Sequence, residues 1–314
     1  MHIDWCGLCI KRLKRSKIAF MELIWKDITY DEKETFERFY QYKTSRGCEL
    51  SFSNNFLWVA HYGTKWGIVE DCLVFYNPHR DSVSLPIGEN PYKAIDALIK
   101  YYEDNDKMFM MHLVTEEQFA DLEEHYPGKF TIEYIRDVAD YIYEAENLGT
   151  LAGKKLHAKR NHINRFVENY PEWQYEEISD DNVEDCLAMA QRWRELNKCD
   201  EDPDKKDEIC VTIQALKKRN EIGLTGGAIR TRNGIVAFSL GAPLTEDTFV
   251  VHIEKAFADI QGAYPIINRE FVLHAAKGYK YINREEDLGE EGLRKAKMSY
   301  NPAILLEKGN VRLK

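Results

Sequence analysis

The chain has 314 residues, with 43 Lys plus Arg against 53 Asp plus Glu and a formal net charge of −10. Its 44% hydrophobic and 12% aromatic content supplies enough apolar side chains for two ordinary domains with separate cores. No stretch nears the roughly eighteen apolar residues of a membrane span, and the acidic total weighs against a large nucleic-acid footprint.

Residues 1–20 are basic, carrying Lys11, Arg12, Lys14, Arg15 and Lys17, without the apolar run of a signal peptide. Met21 precedes a strand-like segment and is a candidate start, which makes residues 1–20 a basic extension. Trp5-Cys6-Gly7-Leu8-Cys9 imitates a thioredoxin-like motif, but too few residues precede Trp5 to form the strand such chemistry needs. The 7 cysteines are odd in number and scattered, which points to a reducing compartment, the cytoplasm by default. They give no second close pair for zinc, and no metal is expected.

Next, 25–29 is strand-like and 32–42 helical, while 56–61, 67–70 and 72–76 suggest a strand meander. A helix over 91–103 carries Ala94, Ile95, Leu98, Ile99 and Tyr102 on one stripe, and 108–114 is again a strand. The chain divides near 145–172. There the segment 153–166 carries Lys154, Lys155, His157, Lys159, Arg160, His162 and Arg165 without one carboxylate, on what reads as a helix. Leu156, Ile163, Phe166, Val167 and Tyr170 form its core stripe, leaving Lys155, Lys159 and His162 on a neighbouring face. Such a local reversal of sign suits an anionic ligand or an acidic surface elsewhere in the same protein, or is a plain solvated face.

The second half reads as a strand at 173–178, a helix capped by Ser179 or Asp180, a polar stretch at 200–207 and a helix through Ile213 and Leu216. Strands at 224–231 and 235–240 are joined by Asn233-Gly234, a pair that tolerates the positive φ of a tight hairpin. A strand at 248–257, a helix at 264–277 opened by Pro265 and closed by Gly278, a strand at 280–283 and a strand pair near 303–308 follow. Strand, helix, helix, three antiparallel strands, helix, strand, strands is the order of the GNAT acyltransferase fold, and the first half is a rougher copy. The expectation is an α/β chain of two tandem GNAT-like domains, 21–150 and 151–314, with mostly antiparallel mixed sheets flanked by helices.

Three segments carry a closer likeness. They are Tyr141-Ile142-Tyr143 with the run 148–166; Glu254-Lys255-Ala256 with Gly262-Ala263-Tyr264; and Asn283-Arg284-Glu285-Glu286-Asp287-Leu288-Gly289 with Gly292-Leu293-Arg294-Lys295-Ala296-Lys297-Met298-Ser299-Tyr300-Asn301-Pro302. On these the chain resembles the uncharacterised family related to the C-terminal domain of phosphatidylglycerol lysyltransferase, whose members carry two GNAT-like domains. The resemblance implies acyl or aminoacyl transfer, by analogy with enzymes that move an amino acid from a charged tRNA to a lipid head group. That lysyltransferase is anchored by many membrane spans, whereas this sequence shows none.

In a GNAT-like domain the donor lies where two central strands splay, with its phosphates near the helix after the fourth strand. Here that turn holds Gly262, Ala263 and Tyr264, where glycine admits a phosphate close to free N–H groups. On the preceding strand His252 and Glu254 share a face, and either could take a proton from an attacking amine, Glu254 first and His252 second. The alternative is a buried pair held by Lys255 or Arg230. The tail offers Tyr300 as a third catalytic candidate and Asn283, Asp287, Arg294, Lys297 and Ser299 as ligand contacts. Arg294 and Lys297, three apart, suit a phosphate or carboxylate clamp or, more blandly, a salt bridge to Glu290 or Glu291. Lys155, Lys159, Arg160 and Asn161 complete the expected anion site, between the domains.

The function expected is transfer of an acyl group from an activated carrier, aminoacyl-tRNA or acyl-CoA, to an amine or hydroxyl, with no tightly bound cofactor. The alternative is a non-catalytic GNAT-like protein binding a small anionic metabolite or the acceptor end of a tRNA.

Overall fold

A computed structural model describes residues 23–314; the extension at 1–20, Met21 and the Cys6/Cys9 pair lie outside the described residues. The first half runs β1 (Lys26–Asp27), α1 (Lys33–Tyr40), α2 (Phe52–Tyr62), β2 (Lys65–Val69), β3 (Cys72–Asn77), β4 (Ser82–Ser84), α3 (Pro91–Asp104), β5 (Met110–Thr115), α4 (Glu116–His125) and β6 (Phe130–Tyr134). The segment expected as the first strand of a meander is instead α2. Ser51 caps it by accepting from the Asn54 N–H, and Gly63 closes it with a φ of 62°. Its Phe52, Ser53, Phe56 and Leu57 are buried, which is why an apolar stretch that resembles a strand winds into a helix here.

The second half follows as β7 (Asp140–Glu144), α5 (Ala145–Thr150), α6 (His157–Asn169), β8 (Gln174–Glu177), α7 (Val183–Leu196), α8 (Pro203–Ile222), β9 (Thr225–Thr231), β10 (Gly234–Pro243) and β11 (Thr248–Ala256). It ends with α9 (Ala263–His274), β12 (Tyr281–Asn283), α10 (Glu291–Met298), β13 (Ile304–Leu306) and β14 (Lys308–Leu313). Gly234 takes a φ of 95° at the turn between β9 and β10, as the Asn-Gly pair requires. No described helix is long and apolar enough to cross a membrane.

Among the described residues the strands form two seven-stranded sheets, β1-β2-β3-β4-β5-β14-β6 and β13-β7-β12-β11-β10-β9-β8. Both repeat the GNAT order, with one parallel pair at the centre: β4 beside β5 and β11 beside β12. Each parallel pair needs a crossover connection, supplied by α3 and α9. The sheets do not divide the chain at residue 150. After β6 the chain leaves the first sheet and enters the second as β7, and after β13 it returns to the first as β14. The strand pair expected near 303–308 is thus split between the sheets, and each sheet receives one strand from the other half.

One apolar core spans the α1 and α2 side of the first half together with the second half, including Phe36, Leu57, Phe166, Phe238 and Phe271. A smaller core under α3 and α4 holds Ala94, Ile95, Leu98, Val114 and Phe130. At the two crossing points Lys308, the first residue of β14, donates to Asp140, the first residue of β7, at 2.8 Å. That ion pair is buried and joins the exchanged strands where they pass each other.

Candidate functional site: one open and one filled strand gap

In the first sheet β4 and β5 pair only at Val83–Met111 and Ser84–His112. Leu113 then takes a φ of 58°, a conformation that costs a residue with a Cβ about 1–2 kcal/mol. On its other edge β5 pairs with β14 both before and after Leu113, and on the β4 side the gap opens into a cavity of about 630 Å³. Its walls are largely apolar, with Phe75, Leu85, Ile87, Ile95 and Leu122, while Lys43, Arg80, Asp121 and Glu89 also border it. Burial lowers the Lys43 ammonium to about 8 and His112, beside Ser82 at 2.8 Å, to about 4. The imidazole is therefore neutral in the ordinary pH range.

Cys48, Glu49, Glu286 and Lys308 line the same cavity. The Cys48 backbone N–H donates to Asp140 at 2.8 Å, and its thiol donates to Glu286 at 3.2 Å. The Lys308 ammonium reaches Glu49 at 3.0 Å. Burial pushes the Glu286 carboxyl up to about 7, with the charges of Asp140 and Glu285 adding to the shift and Lys308 opposing it. Burial likewise raises Glu49, and it raises the Cys48 thiol well above its ordinary value. Asp140 alone ends below the ordinary carboxylate range: burial would raise it, but Lys308, Asn283 and the Cys48 N–H bind the ionised form. Cys48, Asp140 and Glu286 bring ligand-type atoms within 4.8 Å of one another. The Lys308 ammonium already stands among them, so the position a divalent ion would neutralise carries a protein cation.

The equivalent gap of the second sheet is filled by side chains. Pairing of β11 with β12 ends at Val250–Asn283. His252 then donates from Nδ1 to Glu285 at 2.7 Å and meets the Ser53 hydroxyl of α2 at Nε2 at 2.8 Å, while Asn54 donates to Glu285 at 3.1 Å. Glu254 accepts from Arg284 at 2.9 Å and Asn268 at 3.0 Å. Arg284 lies over the rings of Tyr143 and Tyr300, and Lys159 lies 4.0 Å from the Tyr300 ring centre. Burial raises the Tyr300 hydroxyl above its ordinary range. His252 and Glu254 do share a face, but their partners are Glu285, Ser53 and Arg284. Lys255 pairs with Glu208, and Arg230 with Glu176 and Asp185.

The other expected contacts take places that differ from an open clamp. Arg294 grips buried Asp287 through Nε at 2.9 Å and Nη2 at 2.7 Å and also reaches Asp137. Lys297 turns the other way and donates to the backbone carbonyls of Arg284 and Glu286. Neither uses Glu290 or Glu291. Asn283 donates to Asp140 and the Arg46 carbonyl, and exposed Ser299 donates to the Ala296 carbonyl. The basic helix starts at His157, so Lys154 and exposed Lys155 precede it. Arg160 donates to the carbonyls of Leu151 and Gly153, which ties down the lead-in, and Asn161 contacts His157. Gly262 has a φ of 89°, and a Cβ there would run into the His162 carbonyl; the glycine admits the backbone of α6. Ala263 is buried, and Gly262, Tyr264, Lys159 and His162 border a second cavity of about 320 Å³ at the start of α9.

Glu286, Glu49, Cys48 and Lys308 were not among the residues expected to bind or react. Glu286 stands in the segment 283–289 already singled out, but the other three reach it through the strand exchange and the turn before α2, which local sequence does not reveal. A run of two adjacent glutamates beside Arg284 and Asp287 was the available signal. Glu285, at a φ of 58°, turns towards the filled gap, and Glu286 lines the open one.

Two interlocked sheets of GNAT strand order define a tandem GNAT-like protein. The chain belongs to the family described as phosphatidylglycerol lysyltransferase, C-terminal, whose model matches residues 40–308. A conserved protein of unknown function from Bacteroides thetaiotaomicron is 40% identical, with a TM-score of 0.86, over 93% of this chain and 100% of that one. The C-terminal domain of a lysylphosphatidylglycerol synthetase from Agrobacterium fabrum has the same fold at 12% identity, TM-score 0.63, over 90% and 92% of the chains. L-PGS from Bacillus licheniformis does so at 15% identity, TM-score 0.58, over 89% and 91%. An uncharacterized protein of Mycoplasmoides gallisepticum is 23% identical over 192 residues, which span 59% of this chain and 60% of that protein's length. Family and fold relate the chain to acyl- and aminoacyl-transferring enzymes.

Proposed function

We propose that the protein transfers an acyl or aminoacyl group from an activated carrier to an amine or hydroxyl acceptor, with the acceptor held in the cavity of the first half. One observation carries this: the open strand gap ends on a carboxyl, Glu286, whose proton affinity lies near neutrality. A general base is most effective when its pKa lies close to the working pH. The acceptor N–H or O–H attacks the carrier's carbonyl carbon and its proton passes to Glu286. The new C–N or C–O bond forms as the carrier's ester or thioester bond breaks, and the leaving oxygen or sulfur takes up a proton.

The carrier is an aminoacyl-tRNA or an acyl-CoA. Among the described residues no carboxylate lies within ion-pair distance of Lys154, Lys155, Lys159 or Arg165, so these cations are available to phosphates. The exposure of Lys154, Lys155 and Arg165 favours the tRNA acceptor end, while Lys159 is half-buried against the Tyr300 ring.

The test is discharge of labelled aminoacyl-tRNA and acyl-CoA under single-turnover conditions with a panel of amines and alcohols. Glu286→Gln is expected to lower the rate by about 10²–10³-fold at unchanged folding. A rate untouched by Glu286→Gln, or no discharge of either carrier, rejects the proposal.

A further inference from the structure

The open cavity combines apolar walls with an unbalanced acidic end. Leu85, Ile87 and Ile95 line the walls, which favour an apolar body. At the inner end one ammonium, Lys308, serves Glu49 and Asp140 directly. Glu286 receives only the thiol of Cys48 there. Two further cations, Lys43 and Arg80, border the cavity, but Lys43 donates to the Leu50 and Leu244 carbonyls, and among the described residues neither forms an ion pair with Glu286. Glu285 adds negative charge but is itself engaged by His252, and Lys297 of α10 is spent on backbone carbonyls. Tyr62 of α2 lines the cavity as a neutral phenol, its hydroxyl raised by burial.

Buried carboxylates without a full set of counter-ions resist ionisation, and an incoming cation relieves that cost. Glu49 and Glu286 are half-buried, burial raises both carboxyls, and both face the cavity. A hydroxyl of the same shape offers a hydrogen bond but no counter-charge.

We infer that the acceptor of this protein is a primary amine on an apolar body, whose ammonium docks between Glu49 and Glu286 in the cavity of the first half. The inference rests on the transferase reading and narrows its acceptor from amine or hydroxyl to amine. Docking as the ammonium and reacting as the free amine are linked by one proton, which Glu286 accepts before the carbonyl is attacked; for an ammonium acceptor the second proton, lost as the C–N bond forms, goes to the carrier's leaving oxygen or sulfur.

The experiment uses the full chain with n-hexylamine, 1-hexanol and hexanoate as probes, titrated by calorimetry at pH 8 and pH 6. The amine is expected to bind at least about tenfold more tightly than the alcohol at pH 8, with hexanoate weakest. The preference should shrink at pH 6, as Glu286 takes up a proton. Glu286→Gln and, separately, Glu49→Gln should each cut the preference, and Leu85→Trp should weaken binding of all probes alike by narrowing the cavity. Equal affinity for amine and alcohol, absence of amine binding, or a preference intact in both acid variants overturns the inference. Carrier discharge measured alongside separates the two ideas: discharge to alcohols without amine preference leaves transfer standing and overturns the amine inference, whereas amine binding without discharge to any acceptor overturns transfer and with it the acceptor role, leaving only an amine-binding site.

Discussion

The two halves repeat one strand order, yet their central gaps have opposite contents. In the first sheet the parallel strands part after Ser84 and His112 and leave about 630 Å³ of space. In the second they part after Val250 and Asn283, and Ser53, His252, Glu285, Glu254 and Arg284 occupy the opening. Part of that filling comes from α2 of the first half. The same fold therefore provides a place for a ligand in one copy and a docking surface for its neighbour in the other. Identical topology does not imply an identical site, because a gap between strands is kept open or closed by side chains from elsewhere.

Breaking the clasp that holds the exchanged strands has the largest expected effect. Lys308→Met leaves Asp140 and Glu49 buried without their cation and should cost about 3–5 kcal/mol, read as a lower urea midpoint. Adding Asp140→Asn should recover part of it. Next in size is Glu286→Gln, expected to cost about 10²–10³-fold in turnover with little change in melting temperature. Its counterpart in the filled gap, Glu254→Gln, should act on stability, by about 1–3 kcal/mol, since Arg284 and Asn268 lose a charged acceptor. A turnover loss as large as that of Glu286→Gln would instead move the base to the second half.

Acid should loosen the tail segment. Burial alone would raise Asp287, but Arg294, the Tyr141 hydroxyl and the Gly289 N–H hold it well below the ordinary carboxylate range. A depressed carboxyl contributes stability that is present above the unfolded value of about 3.9 and is lost as pH falls through the folded one. The penalty of Asp287→Asn in urea unfolding should therefore be larger at pH 7 than at pH 3. The smallest effect is expected from Lys154→Glu with Lys155→Glu. These exposed cations should change the KM for a charged tRNA by roughly threefold to tenfold at low salt, with a shallower salt dependence, and leave the urea midpoint in place.

Much of the second half was legible because its elements carry strong local signals. Asn233-Gly234 marked a hairpin, Pro265 and Gly278 bracketed a helix, and alternation placed His252 and Glu254 together. The first half was less legible. Its α2 has a run, 56–61, that reads equally as strand, and only the Ser51 cap, the Gly63 end and burial against the second half separate the two. The basic segment was plain in composition, but its helix begins at His157, and Arg160 serves the backbone of its own lead-in.

Period, punctuation and charge along the chain thus decide most of the helices and strands, α2 excepted, and they reveal the repeated order and the local reversal of sign. Those properties act over a few residues, so they can be read from a few residues. The exchange of β7 and β14, the open gap beside the filled one, and the meeting of Cys48, Glu49, Asp140, Glu286 and Lys308 belong to the folded molecule. They depend on which strand edge accepts a distant segment and on how far burial shifts each charge. Both are set by neighbours from distant parts of the sequence, such as Cys48 with Glu286 and Asp140 with Lys308, and no local pattern encodes them.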